Sequence, residues 1–543
     1  MHERLGRRLD PVVPLLVAGA AVSTAVLLEL GSKLTFLLDD WEFLLYRPGL
    51  TAHSVLDPHG EHISIAPILI YKALLATVGM DSSLPYLAVD VAFVVATAVL
   101  LFVYLRRRLD PWLALLAAAL VLTLGPAYDD LLWDFQMGFT GSLACGLGAI
   151  LMLERGHGRG DALACGLLTV GVTFSSLGLP FIVAAAVDVA LRAHRLRRLY
   201  VVAVPALLYA VWWAGWGHTA DTALSLHNVA TTPEFVLDAA AGVFASLFGL
   251  VQTSAGVAAA QFDWGKPLLL AAVAIGAWRL RRIGRVPPAL WIALALVGTF
   301  WILAGFNVKP GRGPTESRYL LPGVVFVLMI AGELLRGVRV PRVAVAIAYV
   351  VGVAALGSNV SELRDAYLAY RNTSDVIKAD LGSVEIARDR IVSEILLDEA
   401  VADTAYVHVT SSAFLSATDR YGSPADDPAQ IAAAPEPARV AADKVLGRAL
   451  SIGLTPSHGP LRHCRRVPAP GGILRLPPGG LGIRSSPLAG AQLSLRRFAT
   501  GSFPVVLPPL APGETGALRI PTDRATEPWE LALRSNGPAV VCG

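Results

Sequence analysis

The chain has 543 residues, of which 54% are hydrophobic and only 16% are charged. A soluble globular protein carries about 25% charged residues, so a chain this poor in charge is not mainly dissolved in water. The formal net charge of +3 is too small to argue for a nucleic-acid partner.

Two compositions follow one another along the chain. Residues 12–357 are long apolar runs broken by short basic clusters, whereas residues 358–543 are polar and rich in Ala, Pro and Gly. A membrane helix needs about 20 apolar residues. Eleven segments are expected to span: 12–30, 84–105, 111–127, 138–154, 161–176, 177–192, 199–217, 267–282, 287–305, 319–336 and 340–357. The first follows Arg4, Arg7 and Arg8 and lacks a small-residue cleavage site, so it reads as a retained helix rather than a signal peptide. Residues 63–78 are apolar but interrupted by Pro67 and Lys72, and are expected to lie as a helix at the interface.

Charge gives this pattern a sidedness. With the N-terminus inside, nineteen arginines fall in the cytoplasmic segments and seven basic residues in the opposite loops. That is the positive-inside bias. An odd number of spans then puts residues 358–543 outside a cytoplasmic membrane. The outer loops collect the acids.

The first outer loop carries Asp39 and Asp40, followed by Trp41, just beyond an apolar helix. Ionised carboxylates beside hydrocarbon are costly unless paired or metal-bound, and adjacent carboxylates can raise one pKa into the range of a general base. A solvated helix end would look the same. Trp41 reads as an interfacial anchor. Further along come His59, Glu61 and His62, a possible metal set whose spacing is not that of a helical His-Glu-x-x-His. The second outer loop holds Tyr128, Asp129, Asp130, Trp133 and Asp134, acids mixed with aromatics as a sugar platform or a membrane belt would have them. In the loop 307–318, Lys309, Arg312 and Arg318 run against the positive-inside trend. They could hold a phosphate, which suits the Arg fork, or meet lipid headgroups.

Together, the spans, the acids Asp39-Asp40, the helix near 63–78 and Arg318-Tyr319-Leu320-Leu321-Pro322 resemble the GT-C superfamily of integral-membrane glycosyltransferases. The stretch from Glu61-His62 to Pro67 looks like the segment that follows the acids in protein mannosyltransferases and lipid A aminoarabinose transferases. It departs from their usual His-Pro-Pro-Leu form, with Ala66-Pro67 and a displaced His62. The resemblance covers residues 12–357. It implies an inverting transfer from a polyprenyl-phosphate sugar donor to a glycan, lipid or protein acceptor of the cell envelope, at the outer membrane face. Asp40 would be the catalytic residue, with Asp39 beside it. Glu61, His62, Asp130, Asp134, Lys309, Arg312, Arg318 and Tyr319 would contact substrate. Some members use a divalent metal, Mg or Mn, for which Asp39, Asp40 and Asp134 would be the ligands. Two other classes fit the same scaffold: a flippase or transporter for polyprenyl-linked glycans, and a non-catalytic assembly protein.

The expected architecture is therefore an α-helical polytopic membrane domain of GT-C type (residues 1–357, about eleven transmembrane helices) plus an extracytoplasmic C-terminal region. That region divides into a mixed α/β segment (358–460) and a β-sandwich-like domain (461–543). Helices are expected at 375–397 and 435–452, and strands at 404–410, 472–476, 491–498 and 529–533. Cys464 and Cys542 bracket the β region and would pair in an oxidising compartment. Trp529 reads as core or as a sugar-stacking surface.

Overall fold

The computed structural model describes residues 11–156, 158–192, 195–253, 260–391, 394–397, 409–457 and 462–543. Arg4, Arg7 and Arg8, and residues 404–408 of one expected strand, lie outside them. The chain divides into two compact units. The first comprises residues 1–32, 47–74 and 84–369, and the second comprises 33–46, 75–83 and 370–543. The compositional change at 357 falls inside one helix that runs unbroken from Arg342 to Ala387, and the division between the units at 369/370 falls inside the same helix.

The helices that lie wholly or mostly in the first unit are α1 (Val12–Gly31), α2 (Ala52–Leu56), α3 (Ile65–Thr77), α4 (Leu84–Arg106), α5 (Pro111–Leu122), α6 (Tyr128–Leu132), α7 (Met137–Leu153), α8 (Gly158–Phe174), α9 (Gly178–Leu191), α10 (Arg195–Arg198), α11 (Tyr200–Gly215), α12 (Leu226–Leu247), α13 (Gly265–Ile283), α14 (Pro288–Phe306), α15 (Ser317–Leu334) and α16 (Arg342–Ala387). Two-residue strands β1 (Gln252–Thr253) and β2 (Ala260–Gln261) pair before α13. Their ends follow local chemistry. The Asp110 carboxylate caps α5 by accepting the Trp112 amide at 2.9 Å, with Pro111 in the first turn. Ser225 caps α12 through the Asn228 amide. Gly284 ends α13 in the left-handed region.

Each of the eleven expected spans overlies a helix, but fewer are long and apolar enough to cross a bilayer alone. Among the described residues six are, or seven if α5 and the bent segment Gly125–Leu132 form one span. The reason is length and charge. At 1.5 Å per residue, the 14 residues of α9 reach about 21 Å, short of a core of about 30 Å. The end of α13 carries Arg279, Arg281 and Arg282. The expected interfacial helix is α3, whose 13 residues are also too short to span. These apolar helices make the first unit membrane-embedded in character.

One helix lies where the sequence reading has only loop. α12 packs on its neighbours: Asn228 donates to the carbonyls of Phe306 and Val308, Gly242 packs on Thr315, and just beyond the helix Gly249 packs on Ala355. Elsewhere small residues permit close helix packing. The Phe174 ring lies over Gly141, and that of Phe181 over Gly146.

Several residues of the basic clusters are held in ion pairs within this unit. Arg108 is buried and pairs with Glu154 and Glu333, Tyr104 donates to Glu333 at 2.8 Å, and Arg107 pairs with Glu154. Arg198 pairs with Asp161, and Arg192 with Asp188. A cavity of about 360 Å³ joins Arg108, Glu154, Asp188, Arg192 and Arg336.

The second unit carries helices α17 (Ser411–Tyr421), α18 (Pro428–Ala433) and α19 (Glu436–Ala449), then two antiparallel sheets. The strands are β3 (Leu454–Pro456), β4 (Cys464–Val467), β5 (Gly471–Arg475), β6 (Leu481–Arg484), β7 (Gln492–Arg496), β8 (Val505–Val506), β9 (Thr515–Leu518), β10 (Glu530–Arg534) and β11 (Ala539–Cys542). Their orders are β5-β10-β7-β8 and β3-β9-β6-β11-β4. Cys464 and Cys542 face each other across β4 and β11 and are disulfide-bonded. The Asp443 carboxylate, on α19, receives the amides of Arg497, Phe498 and Ala499 at 2.9–3.0 Å and ties the helix to the chain after β7. Trp529 is 3% exposed, a core residue rather than a sugar-stacking surface.

Candidate functional site

The site residues are distributed over both units. Asp39 and Asp40 belong to the second, and the remaining non-cysteine candidates to the first.

In the second unit, Leu38 has a positive φ, and the turn it makes lets the Asp40 carboxylate accept the Leu37 amide at 2.8 Å. Asp40 is fully buried and Asp39 half-buried. Trp41 is a correction. It is fully buried, with its ring against Phe36 and Phe414, so it is a core residue of this unit and not an interfacial anchor.

In the first unit, residues 59–62 form a tight turn closed by two backbone hydrogen bonds between His59 and His62, at 2.9 and 3.0 Å. Gly60 occupies it with φ +54°, and a Cβ there would stand 3.2 Å from the Arg312 guanidinium. Glycine thus serves both the turn and the approach of Arg312. Arg312 pairs with Glu61 Oε1, and His62 Nε2 lies 3.3 Å from the same oxygen. Glu61 Oε2 and His62 Nδ1 are buried with no hydrogen-bond partner among the described residues.

The electrostatics follow from burial and these neighbours. Burial pushes the Glu61 pKa up, but His62 and Arg312 outweigh it and hold Glu61 at about 2. Burial pushes His62 down to about 4; Glu61 opposes this, and Arg312, His59 and Arg318 add to it. Above pH 4 His62 is therefore neutral, and Arg312 is what keeps Glu61 ionised.

Glu61 and His62 line a cavity of about 290 Å³ among the helices. Its walls include Phe139, Leu177, Pro180, Trp213, Phe300, Leu303 and Phe306, with Tyr209, Ser176, Thr222, Asn307 and Tyr319 as further polar groups. Tyr319 is buried, its ring near those of Phe139 and Phe300. Lys309 pairs with Asp221 at 2.6 Å, and the Asp221 amide donates to the Gly60 carbonyl, which ties Lys309 to the same turn. Arg318 donates to the Gly311 carbonyl.

Asp130 and Asp134 do not line this cavity. Asp130 is fully buried on α6, and neither carboxylate oxygen has a hydrogen-bond partner among the described residues. Its electrostatic neighbours include Asp129, Asp90 and Arg318. Asp134 is also buried. Sequence reasoning missed Asp90, a buried acid inside α4 that accepts the Thr140 hydroxyl at 2.5 Å. A lone acid in a 23-residue apolar helix is itself the signal that could have found it.

No group of three or more His, Cys, Asp or Glu side chains among the described residues could hold a metal ion. The set His59, Glu61, His62 fails because Glu61 is engaged by Arg312 and the His59 ring packs on Phe135. Of the expected set, Asp39 and Asp40 lie in one unit and Asp134 in the other.

No family model matches this chain, and no curated protein or solved structure matches it either.

Proposed function

We propose that the chain is an inverting GT-C-type glycosyltransferase of the cytoplasmic membrane, using a polyprenyl-phosphate sugar at the outer face. In this reading the C-terminal sheets form an extracytoplasmic sandwich. The observation that carries the proposal is the cavity itself. It is apolar among membrane helices and ends in the ionised Glu61 and neutral His62, with the cation Arg312 paired to Glu61 behind them. That suits an amphipathic donor, with its isoprenoid on the aromatic and aliphatic walls and its phosphate near Arg312 and Arg318.

The chemistry needs a base. With Nε2–H directed at Glu61, His62 Nδ1 is a free acceptor. An acceptor hydroxyl attacks the anomeric carbon, its proton passes to Nδ1, and the bond from that carbon to the phosphate oxygen breaks. Polyprenyl phosphate leaves carrying the electron pair, stabilised by the arginines. A phosphate beside Arg312 and Arg318 would offset two of the charges that depress His62, and so raise its basicity once donor is bound. Asp40 is the rival base favoured by the superfamily resemblance.

The test uses purified protein in nanodiscs, labelled polyprenyl-phosphate sugars and candidate envelope acceptors. Arg312→Gln and His62→Gln should each lower turnover on the order of a hundredfold. Wild-type turnover in His62→Gln with loss in Asp40→Asn moves the base to Asp40. No transfer with any donor, while the labelled lipid crosses the bilayer, replaces the proposal with a flippase.

A further inference from the structure

Another cavity, in the second unit, takes no part in this chemistry. It is a groove of about 800 Å³ across one end of the sheet β5-β10-β7. The register explains its surface. Arg534 of the central strand is flanked by Gly471 and Gln492, and Ala532 by Ile473 and Ser494. The alternate positions are Leu531, Leu533, Leu474, Leu493 and Leu495, all buried. One face of the sheet is thus a leucine core, and the other is a floor of small residues edged by polar ones.

Gly471 has φ +109°, and a Cβ there would meet the Leu533 carbonyl oxygen at 2.0 Å, so that edge of the groove stays bare backbone. Phe503 and Ile473 supply apolar surface, and the Arg496 guanidinium covers the Phe503 ring at 4.3 Å. Gln492, Arg534 and Asn536 are exposed at the rim. Among the described residues none of these three side chains has a hydrogen-bond or ion-pair partner. No carboxylate lines the groove.

We propose that this groove binds a short oligosaccharide. A sugar ring offers apolar C–H surface on its faces and hydroxyls around its edge. Phe503 and Ile473 match the first, and the planar amides and guanidinium match pairs of neighbouring hydroxyls, with two polar atoms in one plane. The free Arg534 and the absence of acids also admit a sugar acid. A peptide adding as a strand would pair along the free edge of β5, whereas the groove's lining comes from three neighbouring strands, β5, β10 and β7. The inference does not rest on the transferase reading.

The full-length protein in nanodiscs, free of sugar-headed detergent, is titrated with di- to tetrasaccharides of glucose, mannose and galactose and with a galacturonate disaccharide. Binding is read by saturation-transfer NMR. At least one probe should bind, and Arg534→Ala and Phe503→Ala should each weaken it tenfold or more with an unchanged melting temperature. Gln492→Trp, which fills the groove from its exposed rim, should abolish binding. Absence of binding across the panel overturns the inference, as does binding that all three variants leave intact. Capture of an extended peptide with no sugar binding overturns it too.

Discussion

Acid should loosen the first unit through His62 before most carboxylates protonate. In the unfolded chain His62 titrates near 6.5, and in the folded protein near 4, because burial and the charges of Arg312, His59 and Arg318 outweigh the attraction of Glu61. Its folded pKa is depressed, so between pH 6.5 and 4 the unfolded chain takes up a proton that the folded site refuses. Stability falls as pH drops through that window, by about 3 kcal/mol in all, and below pH 4 this contribution stops changing. The side chain is 26% exposed, so solvent screening trims the figure without erasing it. Glu61, at about 2 when folded against 4.5 when unfolded, adds a second loss of similar size between those two values. The assay is a set of thermal melts of purified protein at pH 7, 6, 5 and 4, wild type beside His62→Gln. The glutamine keeps a polar side chain but cannot titrate, so subtracting its profile removes every other acid effect. The wild type should lose more stability than the variant across this range. Parallel profiles, or an NMR titration placing His62 near 6.5, would refute the reasoning.

Two further predictions concern what stabilises each unit internally. Glu333→Ala leaves the buried Arg108 guanidinium without one of its two carboxylates and should cost about 3 kcal/mol or more. Arg107→Ala, which breaks a partly exposed pair to Glu154, should cost less than about 1 kcal/mol; thermal melts of the two variants test the contrast. Asp443→Ala strips the acceptor from three amides in one step, at about 1 kcal/mol or more each, and should speed proteolysis around α19, whereas Asp443→Asn, keeping one carbonyl oxygen, should do so less.

Much of the secondary structure was legible in advance, because periodicity and end-capping are local. The expected strand 472–476 lies one residue from β5, and 529–533 one residue from β10. α12 escaped because Thr231, Thr232, Pro233, Glu234 and Asp238 interrupt its hydropathy, and its buried face, from Asn228 through Phe235 to Val243, is apolar only on one side. Trp41 misled for a related reason. An aromatic after an apolar helix looks the same whether it meets lipid or, as here, Phe36 and Phe414.

The site divides along the same line. The turn at Gly60 with its neighbours Glu61 and His62, and the misplaced cations of the loop 307–318, could be picked out by residue type alone. Their meeting could not. Arg312 reaches Glu61 across about 250 positions of sequence, and the cavity draws its walls from α7, α9, α11, α14 and α15. The sequence by itself determined a membrane-embedded helical unit followed by a polar region with sheets, since hydropathy and alternation act over a few neighbours. Only the tertiary structure decided which charges became partners and which acids were buried. Burial and Coulomb forces depend on distance in space, and nothing in the spacing of Glu61, His62 and Arg312 along the chain reports it.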